Sequence, residues 1–343
     1  MHHQRRDEYW RHGSICEDWN AIQCPVMAVS GWADGYSNAV FRLLTGLQVP
    51  RLGLVGPWSH RYPHEGVPGP AIGFSQEALR WWDYWLKGQD TGIMEKPMLR
   101  AWMQDSIPPE THYECCPGRW VGEPTWPSPN VQEQALILVS PCTLKPPQAV
   151  VEEMSMTIQS PLSTGLFAGK WCSYAAAPDL PHDQRKEDGG ALVFDSQPLE
   201  KLEILGSPWL DLELSSDQPV AMIAVRLSDV APDDKATRVT YGLLNLTHRE
   251  GSDNPKMLQP ARFYRVQVKF NDIGYSFPSS HRLRISISTS YWPLAWPAPR
   301  PVRLTIRTGT SSLGLPVRPP LGETDLCLDF ADPECAHQWS RKR

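Results

Sequence analysis

No apolar run in the 343-residue sequence approaches the roughly 20 residues that cross a bilayer, and its first ten residues, MHHQRRDEYW, lack the apolar centre of a secretory leader. No membrane partner is expected. Nor is there a long basic run: 33 Lys and Arg stand against 38 Asp and Glu, and the net charge of −5 gives no electrostatic footing for nucleic acid. The eight cysteines (Cys16, Cys24, Cys115, Cys116, Cys142, Cys172, Cys327 and Cys335) contain no C-x-x-C pair and no regular spacing, so they indicate neither a zinc centre nor a disulfide framework. The expectation is free thiols in a reducing, cytoplasmic compartment, with no cofactor and no metal. Repeats of fixed period and low-complexity tracts are also missing.

What is abundant is tryptophan, with 15, and proline, with 34, which points to aromatic packing under stiff, loop-rich connections rather than to a helical bundle. The length allows two domains of roughly 100–200 residues each. Residues 1–20 read as a short helix running into a loop. CPVMAVSG, bounded by Pro25 and Gly31, has the continuous apolar character of a strand buried on both faces. SNAVFRLLTGL follows at helical spacing with Ser37 as its N-cap, and RLGLVGPWSH supplies a second buried strand. Beyond a Pro/Gly-rich loop, Ser75 opens another helix that ends at Gly88, with Ala78, Leu79, Trp82, Trp85 and Leu86 as its buried face. Strand, helix, strand, helix is an α/β pattern. From about residue 96 the period changes to two. WLDLELSS, AMIAVRLSDV, TRVTYGLLNL, RFYRVQVKF, HRLRISIST and VRLTIRTG alternate apolar with polar residues between turn-rich breaks, as antiparallel β-sandwich strands do.

Two groups compete for the chemistry in VMAVSGWADGYSNAV. Ser37 comes within one residue of the G-x-S-x-G elbow, but an elbow needs the strand to end at its first glycine, and here Gly31-Trp32-Ala33-Asp34 intervene. No acid lies between Ser37 and His60 to complete the chain order of a hydrolase triad, so Ser37 reads as a helix cap. Asp34 and His60 each follow the carboxyl end of a buried strand, the edge at which open parallel sheets bind ligands. A carboxylate there can hold an imidazole by its Nδ1–H while Nε2 takes and returns a proton. On spacing alone, a helix-capping Asp34 and a loop His60 remain an equal alternative.

GWADGYSNA, GLVGPWSH and HRLRISISTSYWPLAWPAP together resemble motifs of the α/β-hydrolase family that includes cocaine esterase, α-amino acid ester hydrolases and X-prolyl dipeptidyl peptidases. The resemblance spans about residues 1–330. It implies that Asp34 is the triad acid and His60 the triad histidine. It also implies a fold of α/β plus all-β: the C-terminal portion of an α/β-hydrolase sheet over residues 1–95, with 1–20 the end of the family's cap, then a jelly-roll β-sandwich over 96–343. The family's serine sits in a G-x-S-Y-x-G elbow well before the acid, and no such elbow precedes Asp34 here. The expectation is therefore a serine hydrolase of ester or amide bonds that carries acid and histidine without the nucleophile and is inactive alone. Its partners would be a small-molecule ester, amide or peptide substrate, together with a missing N-terminal segment or a second copy of the chain. The alternative is a non-catalytic jelly-roll binding or structural protein.

Among the remaining candidates, His2 and His3 read as solvated terminal residues, His64 as surface, and Cys115-Cys116 as incidental. Trp81, Trp82 and Trp85 read as core. Trp292 and Trp296 are expected to pack the sandwich against the catalytic unit. Asp233-Asp234 and HDQRKEDGG are expected to be solvated loops.

Overall fold

The computed structural model describes residues 2–322 and 328–334; Cys327 and Cys335 lie outside them. Strand β1 (Val26–Gly31) pairs in parallel with β2 (Arg51–Gly56) along its full length, from Val26 opposite Arg51 to Gly31 opposite Gly56. Between them runs α2 (Ser37–Gly46), preceded in the chain by the short helix α1 (Glu8–His12). After α3 (Phe74–Lys87), β3 (Leu99–Asp105) joins β2, again in parallel. The apolar runs read from the sequence become these strands because both their faces are covered. Val40, Phe41 and Leu44 of α2 pack with Ala28, Val55, Leu99 and Ala101 on one side, while Leu52, Trp81 and Ile93 cluster on the other. Among the described residues β1 pairs only with β2, so it is an edge of the sheet.

The sheet does not stop at residue 95. β3 also pairs with Ile273–Phe277, which in turn pairs with Leu202–Gly206, and the hydrogen-bonded path continues into the antiparallel strands. WLDLELSS forms the strand Trp209–Ser216, and Phe263–Lys269 beside it alternates buried and exposed residues as its sequence does. A second, larger core built from Leu210, Leu212, Leu214, Val266, Ile285 and Ile306, among others, fills this half. No helix among the described residues is long and apolar enough to cross a membrane.

Several expectations are corrected. Tyr36, not Ser37, takes the cap position of α2; Ser37 is the first helical residue, buried, and makes no capping bond. The reason is that Asp34 Oδ1 already accepts the Tyr36 N–H at 2.9 Å, so a side chain three residues earlier turns the chain into the helix. Helix α3 starts at Phe74 behind Gly73, with Ser75 inside its first turn, and ends as expected on left-handed Gly88 (φ 66°). Its inward face is Glu77 and Trp81, whereas Leu79, Trp82 and Leu86 are exposed. Glu77 fixes that rotation by pairing at 2.6 Å with the buried Arg100 of β3. The HDQRKEDGG run is not a solvated loop: Arg185–Asp188 is a helical turn, α4, with Gln184, Glu187 and Asp188 buried. Asp188 pairs with Arg226 and Arg284 at 3.0 and 3.1 Å, and Glu187 accepts the N–H groups of Gly165 and Phe167, each at 2.6 Å. Trp296 is 82% exposed and does not pack the two halves together. Asp233 and Asp234 are exposed, as expected.

Candidate active site at the carboxyl edge of the parallel strands

Strands β1 and β2 deliver their next residues to one place because the turns that follow them are hydrogen-bonded to each other. Trp32 N–H donates to Gly56 O at 2.9 Å and Ala33 N–H to Trp58 O at 3.1 Å. This approach requires glycine at position 31, where a Cβ would stand 2.0 Å from Trp58 O. Trp58, buried beneath, donates its indole N–H to Pro70 O at 2.7 Å and packs with Leu54 and Ile72.

On this base His60 Nδ1 meets Asp34 Oδ2 at 3.1 Å, within hydrogen-bonding range. The carboxylate is mostly shielded, 12% exposed, and the imidazole is 44% exposed. Asp34 thus spends one oxygen on its own turn through Tyr36 N and the other on His60. The ring of His60 lies between aromatic neighbours, with the Tyr174 centroid at 5.3 Å and the Tyr36 centroid at 5.9 Å. Such a pair can fix an imidazole tautomer and stabilise the imidazolium, leaving Nε2 as the proton acceptor. No hydrogen bond reaches Nε2 from any described residue.

Sequence reasoning missed the third wall of this site. The segment 170–179, from the antiparallel half, docks on both turns: Ser173 N–H donates to Ala33 O at 3.1 Å, and His60 N–H donates to Ser173 O at 2.7 Å. Buried Asp179 builds the segment. Its Oδ2 accepts from Tyr174 N at 2.8 Å, Ala176 N at 3.2 Å and Ser173 Oγ at 3.3 Å, and its Oδ1 pairs with Lys170 at 2.5 Å. Burial works against ionisation of Asp179, but the Lys170 ammonium and these backbone donors hold its carboxyl below the usual range. The docking also brings Cys172 Sγ to 3.9 Å from Asp34 Oδ1. No local pattern signals this contact, since Cys172 lies 138 residues beyond Asp34.

A cavity of about 130 Å³ opens beside Asp34, walled by Gly35, Ser37, Trp171, Tyr113, Tyr241 and Asp272 among others. Ser37, the first residue of α2, therefore lines this cavity and does not cap the helix. Burial raises the Tyr113 and Tyr241 hydroxyls and pushes the Asp272 carboxyl up to about 7. The remaining candidates stay apart from the pair: His64 stacks between Tyr62 and Phe74, and Cys116, another cavity residue, is buried.

Residues 91–329 match the family model described as the X-Pro dipeptidyl-peptidase C-terminal non-catalytic domain, and residues 1–62 match that of X-Pro dipeptidyl-peptidase. Cocaine esterase of a Rhodococcus species is 22% identical over 315 residues, covering 85% of this chain and 53% of that protein. A candidate serine esterase of Mycobacterium bovis is 27% identical over 309 residues, covering 82% and 46%. Among solved structures, an α-amino acid ester hydrolase superposes with a TM-score of 0.68 at 19% identity, covering 92% of this chain and 59% of that one. A CocE/NonD family hydrolase of Staphylococcus aureus gives a TM-score of 0.71 at 12% identity, covering 92% and 58%. The chain spans about half the length of the curated relatives it matches.

Proposed function

Because the chain belongs to the family of X-Pro dipeptidyl-peptidases, cocaine esterase and α-amino acid ester hydrolases, we propose that Asp34 and His60 are the acid and base of a serine hydrolase acting on ester or amide bonds. The observation that carries this reading is the 3.1 Å contact between His60 Nδ1 and Asp34 Oδ2 at the carboxyl ends of two neighbouring parallel strands. In the proposed reaction Asp34 holds the ring so that Nε2 removes the proton of a serine hydroxyl. The serine attacks the acyl carbon, and His60 returns the proton to the leaving alcohol or amine. His60 then activates water to release the acyl group.

No described serine hydroxyl is hydrogen-bonded to His60 Nε2. We propose that the attacking serine belongs to a polypeptide segment outside these 343 residues, a reading supported by relatives about twice as long. Residues 96–343 would then form a jelly roll whose work is positional: they supply the 170–179 segment and much of the cavity wall, in keeping with the non-catalytic description of the matching family domain.

The test has two arms. The 343-residue chain alone should neither hydrolyse aryl esters or Xaa-Pro aryl amides nor take up a fluorophosphonate on Ser37. In a polypeptide that supplies the serine, His60→Gln and Asp34→Asn should each lower kcat by about 10²–10⁴-fold. Turnover by the chain alone that disappears in His60→Ala would place the nucleophile within these residues. Undiminished kcat in His60→Gln would end the proposal.

A further inference from the structure

Three donor side chains of different chemistry converge where segment 170–179 meets the strand ends. Asp34 Oδ2 lies 3.1 Å from His60 Nδ1, Asp34 Oδ1 lies 3.9 Å from Cys172 Sγ, and one donor atom from each of the three lies within 4.8 Å of the others. It is the one group of three or more His, Cys, Asp or Glu donors so placed among the described residues. The thiol is not there by a loose rotamer alone, because adjacent Ser173 is tied through its own N–H and C=O to both turns that carry the other two donors. We propose that Asp34, His60 and Cys172 form a zinc-binding site, and that zinc there switches the Asp34–His60 pair off.

The donor set selects the metal. A thiolate, an imidazole and one carboxylate suit zinc, whereas calcium and magnesium take oxygen ligands. Zinc bonds of about 2.0–2.3 Å in tetrahedral array put donor atoms roughly 3.3–3.7 Å apart. The two Asp34 spacings, 3.1 Å to His60 Nδ1 and 3.9 Å to Cys172 Sγ, lie just to either side of that range, and solvent supplies the fourth ligand. The half-exposed imidazole leaves a path for the ion.

The consequence follows from proton positions. For base catalysis Nδ1 carries the proton that it donates to Asp34, and Nε2 is the acceptor. Coordination through Nδ1 shifts that proton to Nε2, while coordination through Nε2 occupies the acceptor itself. In either case the ring can no longer take a proton from a hydroxyl, and Cys172 gives up its thiol proton to solvent on binding. The inhibitory consequence rests on the hydrolase reading; the binding does not.

The test uses the reduced 343-residue chain and cobalt(II) as the visible stand-in for zinc. One equivalent of cobalt should develop a thiolate-to-metal charge-transfer band with tetrahedral d–d absorption, and zinc should displace both. Cys172→Ser should abolish the charge-transfer band, and His60→Gln should weaken binding about tenfold or more. Without any substitution, zinc should protect Cys172 from iodoacetamide, read by peptide mapping, and leave exposed Cys16, Cys24, Cys115 and Cys142 reactive. Equal alkylation of Cys172 with and without zinc, or a charge-transfer band that survives in Cys172→Ser, would overturn the proposal. Neither readout involves turnover, so failure here leaves the hydrolase reading standing, and loss of that reading leaves the metal site standing.

Discussion

Replacing Asp272 with Asn should stabilise the protein at pH 8 relative to its effect at pH 5. Asp272 sits between the strands Phe263–Lys269 and Ile273–Phe277, and its N–H donates to Asn38 Oδ1 of α2 at 2.8 Å. No side chain among the described residues hydrogen-bonds its carboxyl. Burial pushes that carboxyl from the usual 3.8 up to about 7, against the attraction of Arg42 and Lys269. Between these two values the folded chain keeps a proton that the unfolded chain has lost, so stability falls as pH rises through the window. Between pH 5 and about 7, two pH units at about 1.4 kcal/mol each set a ceiling of about 3 kcal/mol. Asp272 lines the cavity and water reaches it there, so a loss between about 1 and 3 kcal/mol is expected from pH 5 to pH 8. Asn has the same shape and no such proton. In urea denaturation, the stability of Asp272→Asn minus that of the parent should therefore be larger at pH 8 than at pH 5 by this amount. The histidines common to both proteins cancel in the difference. A difference independent of pH, or one that runs the other way, would show that the folded chain satisfies the carboxylate and that burial does not dominate.

Gly31→Ala forces a Cβ to within 2.0 Å of the main-chain oxygen of Trp58, so the two turns must part; a loss of about 2–4 kcal/mol is expected in thermal or urea unfolding, and a loss under about 0.5 kcal/mol would contradict the close approach. Asp179→Ala strips the acceptor from Tyr174 N, Ala176 N and Ser173 Oγ. Amide exchange at residues 174 and 176 should then speed up about tenfold or more, and unchanged exchange would mean that the segment holds its shape without the carboxylate.

How much could be read in advance depended on whether a residue's partner was local. The strands of CPVMAVSG and RLGLVG were legible because burial on both faces leaves an unbroken apolar run, and the positions after them therefore pointed to Asp34 and His60. Helix α3 was legible as a helix but not in its rotation, since apolar residues occur around more than one face and the deciding contact, Glu77 to Arg100, crosses 23 residues. The same limit hid the burial of Asp188, whose charge is met by Arg226 and Arg284, 38 and 96 residues away. The strand Met222–Val230 is buried throughout, with Arg226 meeting Asp188 and Asp229 meeting His281 in such paired networks instead of solvent. Cys172 reaches the site only through the docking of its segment, which no local pattern announces.

Two of the bonds that dock the segment at Ser173 are made by main-chain groups, Ser173 N to Ala33 O and His60 N to Ser173 O, and a third joins the Ser59 and Ser173 hydroxyls at 2.9 Å. Main-chain groups exist whatever side chain a residue bears, proline's missing N–H excepted. Amino-acid replacement at position 33 can therefore accumulate without breaking the two main-chain bonds, as long as the backbone keeps its path, whereas position 173 also uses its hydroxyl. A change in length has no such latitude. One residue inserted or deleted between the Asp179 carboxylate and Ser173, or between the end of β2 and His60, would offset donor from acceptor by a full residue step. Divergence at this junction should thus be written in substitutions and hardly at all in insertions or deletions, and a graft of the antiparallel half from another protein should be chosen by matching the length of this segment rather than its sequence.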